Sequence, residues 1–188
     1  IQPRKDPSIV RKVEGSRKRE IRPLPEVKEY LLVDGYNILY AWDELKKLAQ
    51  ENLDAARQRL MDMLCNYQGY KKCVCILVFD AYKVPGGTEN VVRYHNIHVV
   101  YTKEAETADT YIERTAYELG KEHRVRVATS DAAEQMIVLG HGALRLSADE
   151  FREEVLGVQE QIRQVLREKN RKEKNPALGQ ALKKFSNS

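Results

Sequence analysis

Apolar residues recur along the chain in two alternating patterns, which predict a sheet flanked by helices. Short, nearly continuous apolar runs predict strands at Tyr30–Val33, Cys73–Phe79, Ile97–Tyr101, Val125–Thr129 and, more briefly, Ala143–Leu146. Between them, apolar residues spaced three or four apart predict helices over Leu53–Tyr67, Ala108–Leu119 and Ala132–Leu139. This alternation is typical of parallel strands joined by right-handed crossovers. We therefore predict an α/β fold, a three-layer sandwich around a mostly parallel central sheet of four to five strands.

A last helix is predicted to begin after Ser147. Ser147 and Glu150 have the spacing of a capping box, in which each side chain accepts a hydrogen bond from the other residue's backbone. The apolar residues that follow step by four and three and predict a face packed on the sheet: Phe151, Val155, Val158, Ile162 and Val165. Beyond Asn170 the chain is rich in lysine and arginine, and we predict a loose tail there.

Charge is unevenly distributed along the 188 residues. The net charge is +4, but residues 1–29 carry +4 and residues 167–188 carry +5, so residues 30–166 carry −5. Four prolines and no sustained apolar period predict a basic linker over 1–29, followed by a folded domain over 30–168 and a basic tail over 169–188. The basic flanks are either simply solvated or hold a polyanion near an acidic body, and charge alone does not decide between these.

The composition excludes several classes of protein. Apolar residues make up 42% and charged residues 32%, and no apolar run approaches the ~20 residues that cross a bilayer. No secretory signal is recognisable. Cys65, Cys73 and Cys75 form neither a CxxC pair nor a zinc spacing, which favours buried thiols in a reducing compartment. We therefore expect a cytoplasmic protein that does not enter a membrane.

Acidic residues follow each of the four main predicted strands. In an open parallel sheet, ligands bind outside the carboxyl ends of the strands. The residues that reach this edge are Asp34, Asp80, then Glu104, Glu106, Asp109 and Glu113 after the third strand, and Asp131 after the fourth. Each alone is explained by a turn or by the first turn of a helix. Together they would repel one another unless a cation or shared protons compensated them.

Magnesium or manganese is the natural compensating cation. Both take oxygen ligands and leave coordination positions for water and phosphate. Zinc is disfavoured because the four histidines and three cysteines form no convincing ligand set. A metal ion held by carboxylates activates water and stabilises charge on a phosphodiester, so metal-dependent phosphodiester hydrolysis is the predicted chemistry.

Four motifs carry a resemblance to a known family. VDGYN at 33–37, FDAY at 79–82, ETADTYIE at 106–113 and TSD at 129–131 resemble, in order and spacing, the NYN domains of the PIN-like nuclease superfamily. The chain is most similar to the bacterial YacP-type, ribosome-associated endoribonucleases, over roughly residues 30–168. The resemblance implies a PIN-like, Rossmann-like fold, Mg²⁺ or Mn²⁺ in an acidic pocket, and cleavage of single-stranded RNA, with mRNA on the ribosome as the substrate.

The same resemblance implies roles for individual residues. The catalytic and metal-binding carboxylates would be Asp34, Asp80, Asp109 and Asp131. Asn37 would be a further catalytic residue that positions metal-bound water or the first carboxylate. Hydroxyl groups near the site would come from Thr107 and Ser130, and outer ligands from Glu106 and Glu113.

The segment AYKVPGGTENVVRYHN, which follows Asp80, is predicted to be a loop at the mouth of the site. Tyr82 and Tyr94 are expected to stack on unpaired bases, and Lys83 and Arg93 to contact phosphates. The alternative for the tyrosines is packing on the sheet.

Two other functions compete with the nuclease. One is a binding module of the same fold, which docks on RNA or the ribosome through its basic flanks while its acidic pocket is inactive. The other is a phosphoacceptor receiver-like domain, which also gathers aspartates at strand ends. A receiver domain needs a lysine after its last strand, and the chain has Ser147, Ala148 and Asp149 there.

The first five residues, IQPRK, resemble the end of ribosome-protection GTPases of the tetracycline-resistance type. The chain also begins with Ile1 and not with methionine. We therefore expect this chain to be a nuclease module attached behind a translation GTPase.

Overall fold

The computed structural model describes residues 26–80, 90–103, 105–131 and 142–174. The strands are β1 (Glu29–Asp34), β2 (Val74–Phe79), β3 (Asn90–Tyr94), β4 (Ile97–Tyr101), β5 (Arg124–Ala128) and β6 (Leu144–Leu146). The helices are α1 (Gly35–Ala41), α2 (Asp43–Glu51), α3 (Leu53–Lys71), α4 (Ala108–Gly120) and α5 (Ala148–Lys174). The predicted helix over 132–139, the predicted linker up to residue 25 and the tail from residue 175 lie outside the described residues.

All six of these strands belong to a single sheet. Their order is β3-β4-β2-β1-β5-β6, with β1 and β2 at the centre. Every neighbouring pair is parallel except β3 and β4, which are antiparallel. The predicted α/β fold with a mostly parallel sheet is therefore confirmed, with one strand more than the four to five expected.

The sheet is buried on both faces, as an all-parallel core requires. On β1, Leu31 and Val33 point to one face and pack in a cluster with residues of α3 and α5, such as Leu60 and Phe151. Leu32 points to the other face and packs in a second cluster with residues of α4. These two clusters define the three layers, and they fix β1 so that its last residue emerges at the carboxyl edge of the sheet.

Helices α1 and α2 were not predicted. Helix α1 has only seven residues, and α2 contributes a single buried residue, Leu45, so neither shows a long apolar period. Trp42 between them is fully buried and donates a hydrogen bond from Nε1 to the backbone oxygen of Ala148 at 2.9 Å. This contact fixes the α1–α2 corner against the start of α5.

The prediction of a continuous loop after Asp80 was wrong for residues 90–94, which form strand β3. Val91 and Val92 are 54% and 42% exposed, so this edge strand has no buried face and lacks the alternation that identifies strands. Helix α5 begins with the predicted capping box, since Glu150 N donates to Ser147 Oγ and Ser147 N donates to Glu150 Oε2. The helix continues to Lys174, past the point at which a loose tail was expected.

Cys65, Cys73 and Cys75 are free thiols; Cys73 and Cys75 are buried, as predicted, whereas Cys65 is half-buried. Within the part of the chain that the structure describes, no helix has both the length and the apolar composition needed to span a bilayer.

Candidate active site

An open cleft of about 570 Å³ lies at the carboxyl ends of β1 and β2. It is lined by Asp34, Tyr36, Asn37, Tyr40, Ala41, Asp80, Thr107, Asp109 and Ser130. These residues come from the β1–α1 junction, the end of β2, the start of α4 and the segment after β5. The sheet topology thus brings four separate parts of the sequence to one place, as expected for ligand binding at the carboxyl edge of a parallel sheet.

Asp34 is the last residue of β1 and the N-cap of α1. Its side chain is 2% exposed. Asn37 N donates to Asp34 Oδ1 at 3.0 Å, and Asn37 Nδ2 donates to Asp34 Oδ2 at 2.7 Å. Asn37 therefore engages both carboxylate oxygens and holds the carboxylate in one orientation.

Gly35 allows α1 to begin directly against β2. A Cβ atom at this position would lie 2.3 Å from Cε1 of Phe79 and 2.9 Å from the backbone oxygen of Val78, closer than Cβ contacts in proteins. Any larger residue would push the start of α1 away from β2 and move the cap residue Asp34 with it. The glycine after the strand-ending aspartate is thus a packing requirement of the site.

Asp34 and Asp109 interact directly across the cleft. Burial raises the pKa of Asp34 from the ordinary 3.8 to about 7, and the hydrogen bonds from Asn37 oppose this rise only in part. The hydrogen bond and the negative charge of Asp109 raise the pKa further. Near neutral pH, the Asp34 carboxyl group therefore readily holds a proton unless a cation takes its place.

Asp80 follows β2 and contacts the first residue of α4. Ala108 N donates to Asp80 Oδ1 at 2.6 Å. Thr107 caps the same helix and accepts from Thr110 N at 3.3 Å. The positive end of the helix dipole favours a carboxylate here, and this contact fixes the first turn of α4, which carries Asp109 into the cleft.

Ser130 links the segment after β5 to this arrangement. Ser130 Oγ donates to Asn37 Oδ1 at 2.9 Å, and Asn37 in turn donates to Asp34. Residues 34, 37 and 130 thus form one chain of hydrogen bonds. Thr107 and Ser130 lie at the site as predicted.

Three predicted residues are not among the described residues that line the cleft. Asp131 follows the cleft residue Ser130, and its own backbone N–H bonds to Thr129 Oγ1 at 3.1 Å. Glu106 is paired with Arg114 at 2.8 Å, with a side chain only 12% exposed. Glu113 lines a separate surface pocket with residues 110, 114 and 117, because it lies one helical turn further from the sheet edge than Asp109.

Two of the predicted RNA-binding residues, Arg93 and Tyr94, lie away from the cleft. Antiparallel pairing sets Tyr94 opposite Ile97, at the start of β4, whereas the cleft lies at the strand ends. Arg93 pairs with His98 in the same region, and its Nε donates to the backbone oxygen of His95 at 3.1 Å. Tyr82 and Lys83 lie outside the described residues. The aromatic residues that do line the cleft, Tyr36 and Tyr40, were missed by the sequence analysis.

The carboxylates of the cleft suit a hard divalent cation. Within the described residues, no three His, Cys, Asp or Glu side chains come close enough to hold a metal ion by themselves. The contact between Asp34 and Asp109 nevertheless supplies two oxygen donors, and Asp80 lines the same cleft. Mg²⁺ is commonly held by one or two carboxylates, with water and substrate phosphate completing its coordination, so this donor set fits such an ion.

A mostly parallel α/β sheet with aspartates from separate strand ends in one cleft defines this chain as a PIN-like, nuclease-type domain. The family model of the YacP-like NYN domain matches residues 31–187, and the chain belongs to this family. The uncharacterized protein YacP of Bacillus subtilis (strain 168) is 41% identical over 140 residues, which cover 74% of this chain and 82% of that protein. The family inferred from the sequence motifs is thereby confirmed.

Solved structures agree with this assignment. The crystal structure of Rae1 (YacP) from Bacillus subtilis is similar to this chain with a TM-score of 0.66 and 39% identity, and the match covers 84% of this chain and 89% of that one. A mutant of the same Bacillus protein matches with a TM-score of 0.66 and 38% identity, over 76% of this chain and 84% of that one.

Proposed function

We propose that this chain is a metal-dependent endoribonuclease that hydrolyses single-stranded RNA. The family makes an RNA-related, nuclease-type activity the starting point. The observation that carries the proposal is the meeting of Asp34, Asp80 and Asp109 in one cleft although they lie far apart in the sequence. Carboxylates gathered in this way are costly for the fold unless they serve to bind a cation.

Asp34 and Asp109 are the residues that would hold Mg²⁺ or Mn²⁺. When bound, such an ion lowers the pKa of a water molecule and offsets negative charge on a phosphodiester. Asn37 keeps the Asp34 carboxylate oriented toward the cleft, and Ser130 keeps the Asn37 amide oriented in turn. Asp80 holds the start of α4, so that Asp109 stays opposite Asp34.

The biological setting that we propose is mRNA on the ribosome, in the cytoplasm. Residues 163–173 of α5 are all exposed, and five of them, Arg163, Arg167, Lys169, Arg171 and Lys172, are basic. A basic helix that extends beyond the packed core suits a large polyanion such as ribosomal RNA. The free thiols of the three cysteines suit a reducing compartment.

A binding module without catalysis is the second candidate. The observation in its favour is that no three potential ligands among the described residues form a metal site. In that case the cleft would accept RNA, and the carboxylates would serve only to fix the α1 and α4 helix starts.

The decisive experiment measures cleavage of single-stranded RNA by the full chain with Mg²⁺, with Mn²⁺ or with EDTA. Asp34→Asn should lower the metal-dependent rate by more than about 100-fold, because it removes a proposed metal ligand, and Asp80→Asn should lower it by about 10- to 100-fold, as expected for a residue behind the ligands. Glu122→Gln is the matched control, since Glu122 is exposed just before β5, at the edge of the sheet opposite the cleft. RNA binding without cleavage in every metal would support the binding module instead.

A further inference from the structure

Helix α1 presents two tyrosines to the cleft, one helical turn apart. Tyr36 is 6% exposed, whereas Tyr40 is 42% exposed, and both line the cleft beside the carboxylates. Their rings are nearly parallel, with centroids 6.2 Å apart and planes inclined by 23°. Tyr40 thus offers an aromatic surface to whatever occupies the cleft.

Tyr36 is held rigidly beneath Tyr40. Its ring packs against Phe79 with centroids 5.0 Å apart. Its hydroxyl accepts two hydrogen bonds from Arg57, at 2.8 Å from Nη2 and 3.1 Å from Nε, and Arg57 also pairs with Asp54. The aromatic surface is therefore preorganised, and little side-chain freedom of Tyr36 would be lost when a ligand binds.

The described lining of the cleft contains three aspartates and no lysine or arginine. Phosphates are repelled by such a surface in the absence of a cation. Among the described lining residues, the groups that can attract a nucleic acid strand in the absence of a cation are therefore uncharged. Aromatic rings suit this task, because every unpaired base has a face that can stack on them.

We propose that Tyr40, supported by Tyr36, is a stacking subsite for one unpaired base of a single-stranded RNA. This inference rests on the proposed function, because it takes RNA as the occupant of the cleft. Tyr40 lies six residues beyond Asp34, or about 9 Å along the chain at the rise of an α-helix. The base on Tyr40 therefore belongs to a nucleotide next to the phosphate held at the carboxylates.

The test measures binding of the full chain to a single-stranded RNA oligonucleotide in EDTA, where cleavage does not interfere. The oligonucleotide carries 2-aminopurine, whose fluorescence is quenched when it stacks, or an abasic site moved along the strand. Tyr40→Leu should weaken binding about 5- to 150-fold, which corresponds to the ~1–3 kcal/mol of one stacked base. Tyr40→Phe retains the ring and should restore most of the affinity and the quenching.

Tyr70→Leu is the matched control, because Tyr70 is 47% exposed near the end of α3, remote from the cleft. The abasic site should weaken binding to the wild-type chain at one position, where it removes the stacked base. At that position it should not weaken binding to Tyr40→Leu any further. If the two losses simply add at every position, or if Tyr40→Leu binds like wild type, the stacking subsite is overturned. If Tyr40→Leu folds poorly, 2-aminopurine on the wild-type chain still tests the subsite, because absence of quenching at every position overturns it.

The same measurements separate this inference from the proposed function. Wild-type chain that binds with quenching but never cleaves in Mg²⁺ or Mn²⁺ upholds the subsite and overturns the nuclease. Metal-dependent cleavage with no effect of Tyr40→Leu on binding upholds the nuclease and overturns the subsite. Absence of binding to single-stranded RNA in EDTA together with absence of cleavage in Mg²⁺ or Mn²⁺ overturns both.

Discussion

Two regions of the molecule hold a carboxylate in opposite ways: Asp34 is buried, whereas the side chain of Glu154 is 32% exposed. In the cleft, Asp34 is bonded by the neutral Asn37 and faces the carboxylate of Asp109, and its pKa rises to about 7. Near the other end of β1, Glu154 accepts hydrogen bonds from Arg126 at 2.7 Å and from Tyr67 at 2.8 Å. Burial acts to raise the pKa of Glu154, but these two bonds outweigh it, so the pKa is lowered.

The difference lies in the partner and not in burial alone. Glu154 has a guanidinium beside it, and Lys71 lies 3.9 Å from its other oxygen, so its charge is compensated within the protein. In the cleft, the described lining residues provide no such cation to Asp34. Glu154 is thus compensated within the protein and anchors α5 to the sheet, whereas Asp34 has no cation beside it among the described lining residues.

The largest expected effect is the pH dependence of the free energy of unfolding, to which Asp34 and Glu154 contribute in opposite directions. The Asp34 carboxyl titrates near 3.8 when unfolded and near 7 when folded, so the folded chain binds an extra proton between these values. Without metal, the free energy of unfolding should therefore fall as pH rises through this window, by about 4 kcal/mol in total. Urea unfolding at a series of pH values in EDTA measures this fall.

Asp34→Asn is the control for that titration, because an amide takes up no proton in this range. The variant should lack the fall between pH 4 and pH 7, whatever its absolute stability. Asp109→Asn should reduce the fall, since the charge of Asp109 contributes to the raised pKa. Identical pH profiles for wild type and Asp34→Asn would show that this carboxyl group titrates normally.

A somewhat smaller effect on stability is expected from a substitution that displaces the start of α1. Gly35→Ala places a methyl group 2.3 Å from the Phe79 ring and 2.9 Å from a backbone oxygen, so it should lower the free energy of unfolding by about 3 kcal/mol. Gly157→Ala is the matched control, because this exposed glycine of α5 has no atom within 4 Å of an added Cβ. It should stabilise the chain by up to about 1 kcal/mol. Two changes of the same sign would contradict this account of Gly35.

The part of the fold that was predictable from the sequence is the part buried on both faces. Strands such as β2 and β4 are nearly continuous apolar runs, and α3 and α4 have clear helical spacing. The elements that were missed are short or exposed, although α1 buries four of its seven residues. Strand β3 exposes both valines at the edge of the sheet, and α1 and α2 are too short for a period to be evident.

The candidate site was likewise predictable only in part. Asp34 and Asp80 were predictable because strand ends in a parallel sheet converge at one edge. Asp131 and Glu113 follow the strands in the predicted order but do not line the cleft. Asp131 lies one residue beyond the lining residue Ser130, and Glu113 lies one helical turn beyond the lining residue Asp109. Tyr36 and Tyr40 had a usable signal, their spacing of four after a strand-ending aspartate, but it depends on recognising that α1 begins at Gly35.

The smallest expected effect comes from breaking the ion pair between Arg126 and Glu154. Arg126→Met removes the main cation beside Glu154 and leaves Tyr67 and Lys71 as its partners, so the loss should be about 2 kcal/mol, less than for a fully buried pair. Arg163→Met breaks the exposed pair with Glu160 and should cost less than about 0.5 kcal/mol. Urea unfolding of both variants beside wild type at neutral pH measures the two losses.

The contribution of the Arg126–Glu154 pair to the free energy of unfolding should depend on pH in the opposite direction to the contribution of Asp34. Because the pKa of Glu154 is lowered in the folded chain, its stabilising pairing is present above the ordinary value of 4.5 and is lost as pH falls. The gap between wild type and Arg126→Met should therefore narrow in acid, where Glu154 is protonated in both. A gap that stayed constant from pH 7 to pH 3 would mean that Arg126 stabilises the chain through packing of its aliphatic part and not through the charge of Glu154.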